Sequence, residues 1–301
     1  MKNILISIFV CLCIGASISK FLEIKKDVNN SVLTVELIVF SGENNFKLFL
    51  NSEEVDTLYS LIEENKYKSN NSLRVMGYKG WRLVELNIVI FGYPIAESFL
   101  LEKFKGSLPD QVYNHIIEIM QNEYEEGENM PTFYSNRIFS TVCDQTPIRG
   151  GNHYPDYNPQ TDDKGCFIEK QWDNNCYNYG TDVLTNTFAQ PGRGTSHKWV
   201  VNTCEDVKRA AISDGLIFKG DSFSEELSEG HYVAMFIWPN TNFHWVRLDS
   251  NGFWSHKAGG TPVKNVDNSG SKITDPSKSD FSPWTQFCGY FQVIPSNINI
   301  N

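Results

Sequence analysis

Three strand-like runs follow one another between residues 232 and 256, and only short turn sequences separate them. The runs cover residues 232–238, 243–249 and 253–256, and the turns between them are rich in Asn, Pro, Ser and Gly. Consecutive strands this close together pair antiparallel, because a parallel pair needs a crossover of about a dozen residues or more. This half of the chain is therefore predicted to contain an antiparallel sheet.

The first third of the chain carries both helix and strand signals. Asn51 is followed three residues later by Glu54, which is the spacing of a helix capping box. Apolar side chains then recur at the helical period, at Val55, Leu58, Tyr59 and Ile62. Strand-like stretches at residues 32–40, 73–86 and 88–91, with a second helical stretch at 109–123, complete a small α+β domain.

An acidic and polar stretch at residues 123–129 indicates a linker after this domain. The predicted organisation is a signal peptide at 1–19, an N-terminal α+β domain of unknown role at 20–125, and a second domain at 126–301. The second domain begins with an irregular segment rich in Pro, Gly, Asn and Asp. Further on, Thr203 is a good cap for a helix over residues 204–214, and Gly215 suits its C-terminal end. The overall fold class is predicted to be α+β.

The N-terminus has the layout of a secretory signal peptide. A short basic start is followed by a mostly apolar run at residues 4–14, and then by a stretch rich in small residues up to Ser19. A run of this length is too short to cross a bilayer, which needs about 20 residues. We therefore expect a secreted, extracellular protein without a membrane span. The net charge of -10 also argues against a nucleic-acid partner.

Five cysteines remain after residue 19: Cys143, Cys166, Cys176, Cys204 and Cys288. In an oxidising compartment, four of them can form two disulfides in three possible connectivities. One thiol is then left over. The sequence does not say which connectivity is used.

Cys176 is the candidate for a reactive thiol. If Asn175 caps a helix, Cys176 lies in its first turn, where free N–H groups and the helix dipole lower a thiol pKa. A thiolate at this position is a nucleophile. The alternative is that Cys176 is a half-cystine or an inert thiol of the core.

A nucleophilic thiol needs a base, and His244 is the best placed histidine. It begins a strand directly after a turn, where its ring can reach a neighbouring helix N-terminus and take the thiol proton. His115, His153 and His197 are interpreted as surface residues. His231 opens another strand and is assigned either to the surface or to the site.

The order of these features resembles the papain fold of cysteine hydrolases, and specifically its NlpC-type branch. The similarity covers residues 171–256 and includes the separation of twelve residues between His244 and His256. The resemblance implies Cys176 as nucleophile, His244 as general base and then acid, and His256 as the group that orients His244. It also implies an oxyanion site made by the Cys176 N–H and Gln171, with Asn174 and Asn175 as competitors.

The position of His256 depends on the hairpin loop that precedes it. A two-residue loop at 251–252 places His256 and His244 on opposite faces of the sheet. A three-residue loop at 251–253 places them on one face but about 13 Å apart. The alternative orienting residues are Asp249, Asn251, Asn265 and Asp267.

Two functions from different classes follow. The first is a secreted thiol-dependent amidase, peptidase or acyl-transferase whose substrate is a peptide or small amide, such as the peptide stems of bacterial cell wall that the resemblance implies. The alternative is a secreted non-catalytic binding module in which Cys176 is structural. No cofactor and no metal are expected, since the chain lacks CxxC spacing and a phosphate-binding Gly-rich loop, and it also lacks the GxSxG elbow of serine hydrolases.

Overall fold

The fold is taken from a computed structural model that describes residues 32–43, 45–64, 77–86, 88–123, 146–147, 155–158, 166–223 and 226–301. The predicted signal peptide, most of the predicted linker, Cys143 and His153 lie outside the described residues. The structure is α+β with antiparallel sheets, in agreement with the predicted fold class.

The first part of the chain forms a four-stranded antiparallel sheet with three helices. The strands are β1 (Leu33–Leu37), β2 (Lys47–Leu50), β3 (Trp81–Leu83) and β4 (Ile88–Ile90), in the order β2-β1-β3-β4. The helices are α1 (Ser52–Glu64), α2 (Pro94–Phe104) and α3 (Asp110–Glu123). The predicted capping box is confirmed at α1. The backbone N–H of Asn51 donates to the Glu54 side chain and that of Glu54 to the Asn51 side chain, both at 3.0 Å.

Helix α2 was not predicted from the sequence. Its N-cap residue, Tyr93, makes no side-chain capping bond, and the helix instead begins with Pro94. Its buried residues, Ala96, Glu97, Leu100, Leu101 and Phe104, share one face of the helix. Glu97 is a charged residue on that buried face, whereas the apolar Ile95 is 48% exposed on the other, so the amphipathic period by which helices are recognised in a sequence is weak.

The second part of the chain is built on a six-stranded antiparallel sheet. Its strands are β7 (Ile217–Gly220), β8 (His231–Trp238), β9 (Asn242–Leu248), β10 (Trp254–Lys257), β11 (Val263–Lys264) and β12 (Gln286–Val293). The order is β11-β10-β9-β8-β12-β7, so the predicted run of three neighbouring strands is confirmed. Two further short strands, β5 (Thr146–Pro147) and β6 (Val183–Leu184), pair with each other.

Three helices accompany this sheet: α4 (Cys166–Glu169), α5 (Cys176–Thr181) and α6 (Cys204–Ser213). The predicted cap of α6 is confirmed, since the Thr203 hydroxyl accepts the Asp206 N–H at 3.3 Å. Gly215 follows with a φ of 106°, a backbone conformation that favours glycine.

Strand β8 separates the two halves of the core. Its residues Ala234 and Phe236 belong to a hydrophobic cluster that also contains Leu37 of β1 and Val112 of α3. The alternating residues, which include Met235, belong to a second cluster with α5 and α6. The first part of the chain therefore covers one face of the six-stranded sheet and the helices cover the other. The predicted domain boundaries remain a prediction, but the two parts share one core.

None of the helices among the described residues is long and apolar enough to cross a lipid bilayer.

Candidate site around Cys176

The helix start predicted at Cys176 is present. Asn175 is the N-cap of α5, and its side-chain oxygen accepts the N–H groups of Tyr177 at 3.0 Å and Asn178 at 3.1 Å. Asn178 returns the bond by accepting the Asn175 N–H at 3.1 Å. Because these contacts are local in sequence, the cap could be predicted from residue types alone.

The ionised thiol expected at this position is contradicted by burial. The Cys176 side chain is 0% exposed and belongs to the second hydrophobic cluster. Burial raises the pKa of the Cys176 thiol to about 12, although contacts with Ser41 and backbone N–H groups act in the opposite direction. Burial outweighs the helix N-terminus here, so the sulfur is a neutral thiol at ordinary pH.

Ser41, a residue of the first part of the chain, lies beside both Cys176 and His244. Its hydroxyl contacts the thiol on one side and Nδ1 of His244 on the other. Ser41 is itself 0% exposed. Ser41 was not predicted as a site residue, because it lies 203 positions from His244 along the chain.

The two histidines named from the sequence do meet. Nε2 of His244 lies 3.0 Å from Nδ1 of His256, and Nε2 of His256 lies 3.0 Å from the Val266 carbonyl oxygen. A carbonyl only accepts, so His256 donates from Nε2 and its Nδ1 accepts from His244. In neutral His244, Nδ1 then accepts the Ser41 hydroxyl proton. The thiol faces the Ser41 oxygen and, at 4.0 Å, the Phe243 carbonyl oxygen.

Both imidazoles are held neutral. Burial lowers the pKa of His256 to about 4, and burial together with the neighbouring His256 lowers the pKa of His244 well below its usual value. Cys176, Ser41, His244 and His256 form a row of side chains in contact, in that order. Their hydrogen bonds are therefore made without any charged group. A thiolate–imidazolium pair, which cysteine peptidases use, is absent from this row.

Both loop lengths predicted for the β9–β10 hairpin are wrong. Trp254 pairs with Leu248, and His256 pairs with Val246, so the loop spans residues 249–253. In this register, His256 lies two positions along the chain from the residue that faces His244. Both histidines are therefore on the same face of the sheet. The longer loop is held by the Asp249 N–H, which donates to the Phe253 carbonyl at 2.9 Å, and by the Asn251 side chain, which accepts the Phe253 N–H.

The four alternative orienting residues lie elsewhere. Asp249 pairs with Arg247 at 3.0 Å, and Asn251 belongs to the hairpin loop. The backbone of Asn265 accepts the Ile273 N–H. The side chain of Asp267 accepts the N–H groups of Ser271 and Asp280, and its charge acts on His256 from a distance.

The peptide Ser41–Gly42 lies beside the start of α5 and is held there by hydrogen bonds. The side-chain oxygen of Asn242 accepts two backbone N–H groups, that of Ser41 at 3.1 Å and that of Gly42 at 3.0 Å. The Gly42 carbonyl accepts the side-chain amides of Asn175 at 2.7 Å and Gln190 at 2.6 Å. A Cβ on Gly42 would lie 2.2 Å from the Phe243 ring, so this close approach requires glycine.

Gln171 was predicted to donate to an oxyanion, and the structure places its amide elsewhere. Its Nε2 donates to the Gly260 carbonyl at 2.7 Å. Of the two competitors, Asn174 binds Lys170 and Asn186, whereas Asn175 points its amide toward Gly42. The amides that converge on the Gly42 carbonyl are therefore those of Asn175 and Gln190, and Gln190 was missed.

Lys257 was also missed by sequence reasoning. It is fully buried, and its ammonium donates to the carbonyls of Gln171 and Gly259 at 2.6 Å each and also to that of Asn174. Burial lowers its pKa to about 7. Lys257 fixes the loop that leads into α5, and a charged residue inside a strand gave no indication of such a role.

The cysteines agree with the prediction that one thiol is left outside the disulfides. Cys204 and Cys288 form a disulfide, and Cys166 is disulfide-bonded as well. Cys176 is the free cysteine among the described residues. Within the same residues, no group of three or more His, Cys, Asp and Glu side chains is placed to hold a metal ion.

Of the remaining histidines, His231 is buried and its Nε2 lies 2.7 Å from the Gly180 carbonyl, at the end of α5. His197 is exposed, as predicted. His115 was predicted to lie on the surface, but it is partly buried and packs edge to face against Trp238, with 5.1 Å between the ring centres.

Comparison with known proteins supplies one relative. The chain is 43% identical over 124 residues to insoluble matrix shell protein 1 of Ruditapes philippinarum, and the match covers 40% of this chain and 80% of the relative. The chain belongs to the family of that protein. No family model matches the chain, and no solved structure matches it.

This kinship overturns the main functional prediction. A family member named as an insoluble matrix protein of the shell conflicts with a secreted peptidase, amidase or acyl-transferase, and that prediction is wrong. The burial of Cys176 also argues against the hydrolase interpretation, because the buried sulfur is a neutral thiol. The alternative, a non-catalytic module, agrees better with the family.

Proposed function

We propose that this protein is a secreted, non-catalytic interaction module of an extracellular matrix. The observation that carries the proposal is its 43% identity to an insoluble matrix shell protein, of which the match covers 80%. A matrix protein needs a stable fold and a surface that holds a partner. It does not need an exposed nucleophile.

The neighbourhood of Cys176 supports a structural role. A buried thiol with a pKa near 12 is a poor nucleophile at neutral pH. The Ser41 hydroxyl lies between the thiol and the imidazole that would have to take its proton. The Ser41–Gly42 peptide is held beside the start of α5, where the Gly42 carbonyl accepts the side-chain amide of Asn175. In this role Cys176, Ser41 and the two histidines join the first part of the chain to the sheet.

We also propose that the second part of the chain has a papain-like arrangement that serves as a scaffold. The supporting features are a helix that begins at the cysteine, an antiparallel sheet that follows it, and histidines on two neighbouring strands of that sheet. Such an arrangement can persist without catalysis, because function depends on the site rather than on the fold.

Secretion is part of the proposal. The chain begins with a sequence of the signal-peptide type, and a disulfide joins Cys204 to Cys288. Disulfides persist in oxidising, extracellular surroundings and are rare in the cytosol.

Thiol labelling tests the non-catalytic role. The native full-length protein is treated with iodoacetamide at pH 7.5, and the labelled cysteines are mapped by mass spectrometry. We expect no label on Cys176 in the native protein and full label in urea. Peptide-amide substrates should be cleaved no faster by the native protein than by Cys176→Ala.

Localisation tests the matrix role. Antibodies against the chain should stain extracellular matrix, and the protein should remain in the insoluble fraction after salt extraction. Labelling of native Cys176 together with amide cleavage that Cys176→Ala abolishes would reject the proposal. A purely intracellular location would reject it as well.

A further inference from the structure

A polar cleft of about 570 Å³ opens between the four-stranded sheet and the loops on either side of α5. Its volume lies within the range of about 300–1,000 Å³ that is usual for small-ligand sites. It is separate from the buried row around Cys176. The side chains that matter for its chemistry are Glu36, Lys47, Arg82, Trp172, Asp173 and Thr187.

Arg82 is held in place before any ligand binds. Its guanidinium stacks 4.3 Å from the centre of the Trp172 ring, and its Nη1 lies 3.3 Å from the Glu36 carboxylate. Trp172 is fixed in turn by Gly260, where a Cβ would lie 2.3 Å from the indole. A guanidinium stacked in this way loses little side-chain entropy when it donates hydrogen bonds.

The opposite wall of the cleft is a strained loop. Asn186 and Phe188 line the cleft, and both have a φ of 55°, in the left-handed region that non-glycine residues rarely adopt. The loop is held by Asn174, whose side chain accepts the Thr185 and Asn186 N–H groups at 3.2 and 3.1 Å. Strained residues of this kind cluster at ligand sites, where the surrounding structure enforces them.

The chemistry of the lining favours a ligand that both donates and accepts hydrogen bonds. Lys47 and Arg82 offer donors, whereas Asp173 and Glu36 offer acceptors. Lys47 and Asp173 are exposed, so their heads are free to turn toward a ligand. Each hydroxyl of a sugar donates and accepts at once, which matches such a mixed rim.

Other ligand classes fit less well. A phosphate- or sulfate-rich polymer would meet the carboxylates of Asp173 and Glu36 on a chain of net charge -10. An extended peptide is usually bound through backbone hydrogen bonds to a sheet edge, with pockets for alternate side chains. The cleft instead presents polar side chains and the partly exposed Trp172.

We propose that this cleft binds segments of a neutral polysaccharide. The inference rests on the proposed matrix function, since it names the polymer class to which the module attaches. Binding by such a cleft would fix the protein in a matrix through many weak attachments.

Calorimetric titration of the full-length protein tests the inference. The probes are the hexasaccharides cellohexaose, maltohexaose and hexa-N-acetylchitohexaose, with a neutral hexapeptide for comparison. We expect at least one hexasaccharide to bind. Lys47→Gln and Asp173→Asn should each weaken that binding about tenfold, as expected for the loss of one charged hydrogen bond. Lys219→Gln and Asp221→Asn, which lie outside the cleft, should leave it unchanged.

Three results would overturn the inference: no hexasaccharide binds at millimolar concentration, binding is unaffected in both cleft variants, or the hexapeptide binds in preference. Thermal unfolding of each variant checks that folding is intact. The titration measures neither thiol reactivity nor location. Failure of sugar binding with a confirmed matrix location would therefore reject only this inference, whereas native labelling of Cys176 with amide cleavage would reject the proposed function.

Discussion

The Ser41 hydroxyl donates to Nδ1 of His244, although the two residues are 203 positions apart in the chain. The same hydroxyl contacts the Cys176 thiol. A residue from the first part of the chain thus separates the thiol from the imidazole in the second. Burial keeps both the thiol and the imidazole neutral, and the Ser41 hydroxyl gives the buried imidazole its hydrogen-bond donor.

Replacing Ser41 should weaken the fold. Ser41→Ala leaves Nδ1 of His244 as a buried acceptor without its donor, which costs about 1–3 kcal/mol. Urea denaturation measures the loss. Ser60→Ala on the exposed face of α1 is the matched control, since its hydroxyl donates to the Asp56 carbonyl of the same helix. Equal stability of the two variants would show that the Ser41 contact is not formed.

Gly42 should not tolerate a side chain. Gly42→Ala places a methyl group 2.2 Å from the Phe243 ring, and the resulting displacement costs about 1–3 kcal/mol. The matched experiment is a double-mutant cycle with Phe243→Leu, which removes the clash. The loss caused by Gly42→Ala should shrink in the Phe243→Leu background. An unchanged loss would show that the two residues are not in contact.

Acid should destabilise the protein through His256. Burial lowers its pKa to about 4 in the folded protein, against about 6.5 in the unfolded chain. Between these values the unfolded state binds the additional proton, so the contribution of His256 is complete above pH 6.5. It is lost as the pH falls toward 4, by roughly 3 kcal/mol.

Asp214 changes the pH dependence of stability in the opposite direction. Burial raises its pKa to about 6, so its contribution to stability increases as the pH falls. The comparison that isolates His256 is therefore the difference in unfolding free energy between wild type and His256→Asn. Asp214 contributes equally to both proteins, so this difference should decrease from pH 7 to pH 4. A difference that stays constant with pH would contradict a buried neutral His256.

The disulfide between Cys204 and Cys288 should contribute substantially to stability. It closes a loop with a sequence separation of 84, and its loss in Cys204→Ala/Cys288→Ala should lower the unfolding free energy by about 2–5 kcal/mol. Urea denaturation of the double variant gives the value. Substitution is used in place of a reductant, because a reductant would also cleave the disulfide at Cys166. Stability equal to wild type would show that the bond is dispensable.

Lys257 should be essential to the loop before α5. Lys257→Met keeps the length of the side chain but leaves the carbonyls of Gln171, Asn174 and Gly259 without their shared donor. We expect a loss of at least about 3 kcal/mol in urea denaturation. Lys278→Met, whose side chain is 82% exposed, is the control and should unfold like wild type. A Lys257→Met protein as stable as wild type would contradict this role.

Local features of the site were predictable. Asn175 caps α5 through bonds that reach only two or three residues, so residue type and spacing suffice to place Cys176 at the helix start. The strands that carry His244 and His256 follow from apolar runs and turn residues. The contact between the two rings required the register, and the register depends on a loop that the sequence did not reveal.

The sequence by itself determined the helix caps, the antiparallel strands, the odd cysteine and the order of Cys176, His244 and His256, because each depends on neighbours a few residues apart. Only the tertiary structure decided that Cys176 is buried and neutral. Burial and the Ser41 contact arise from packing between distant parts of the chain. Desolvation in that packing outweighs the local effect of the helix N-terminus on the thiol.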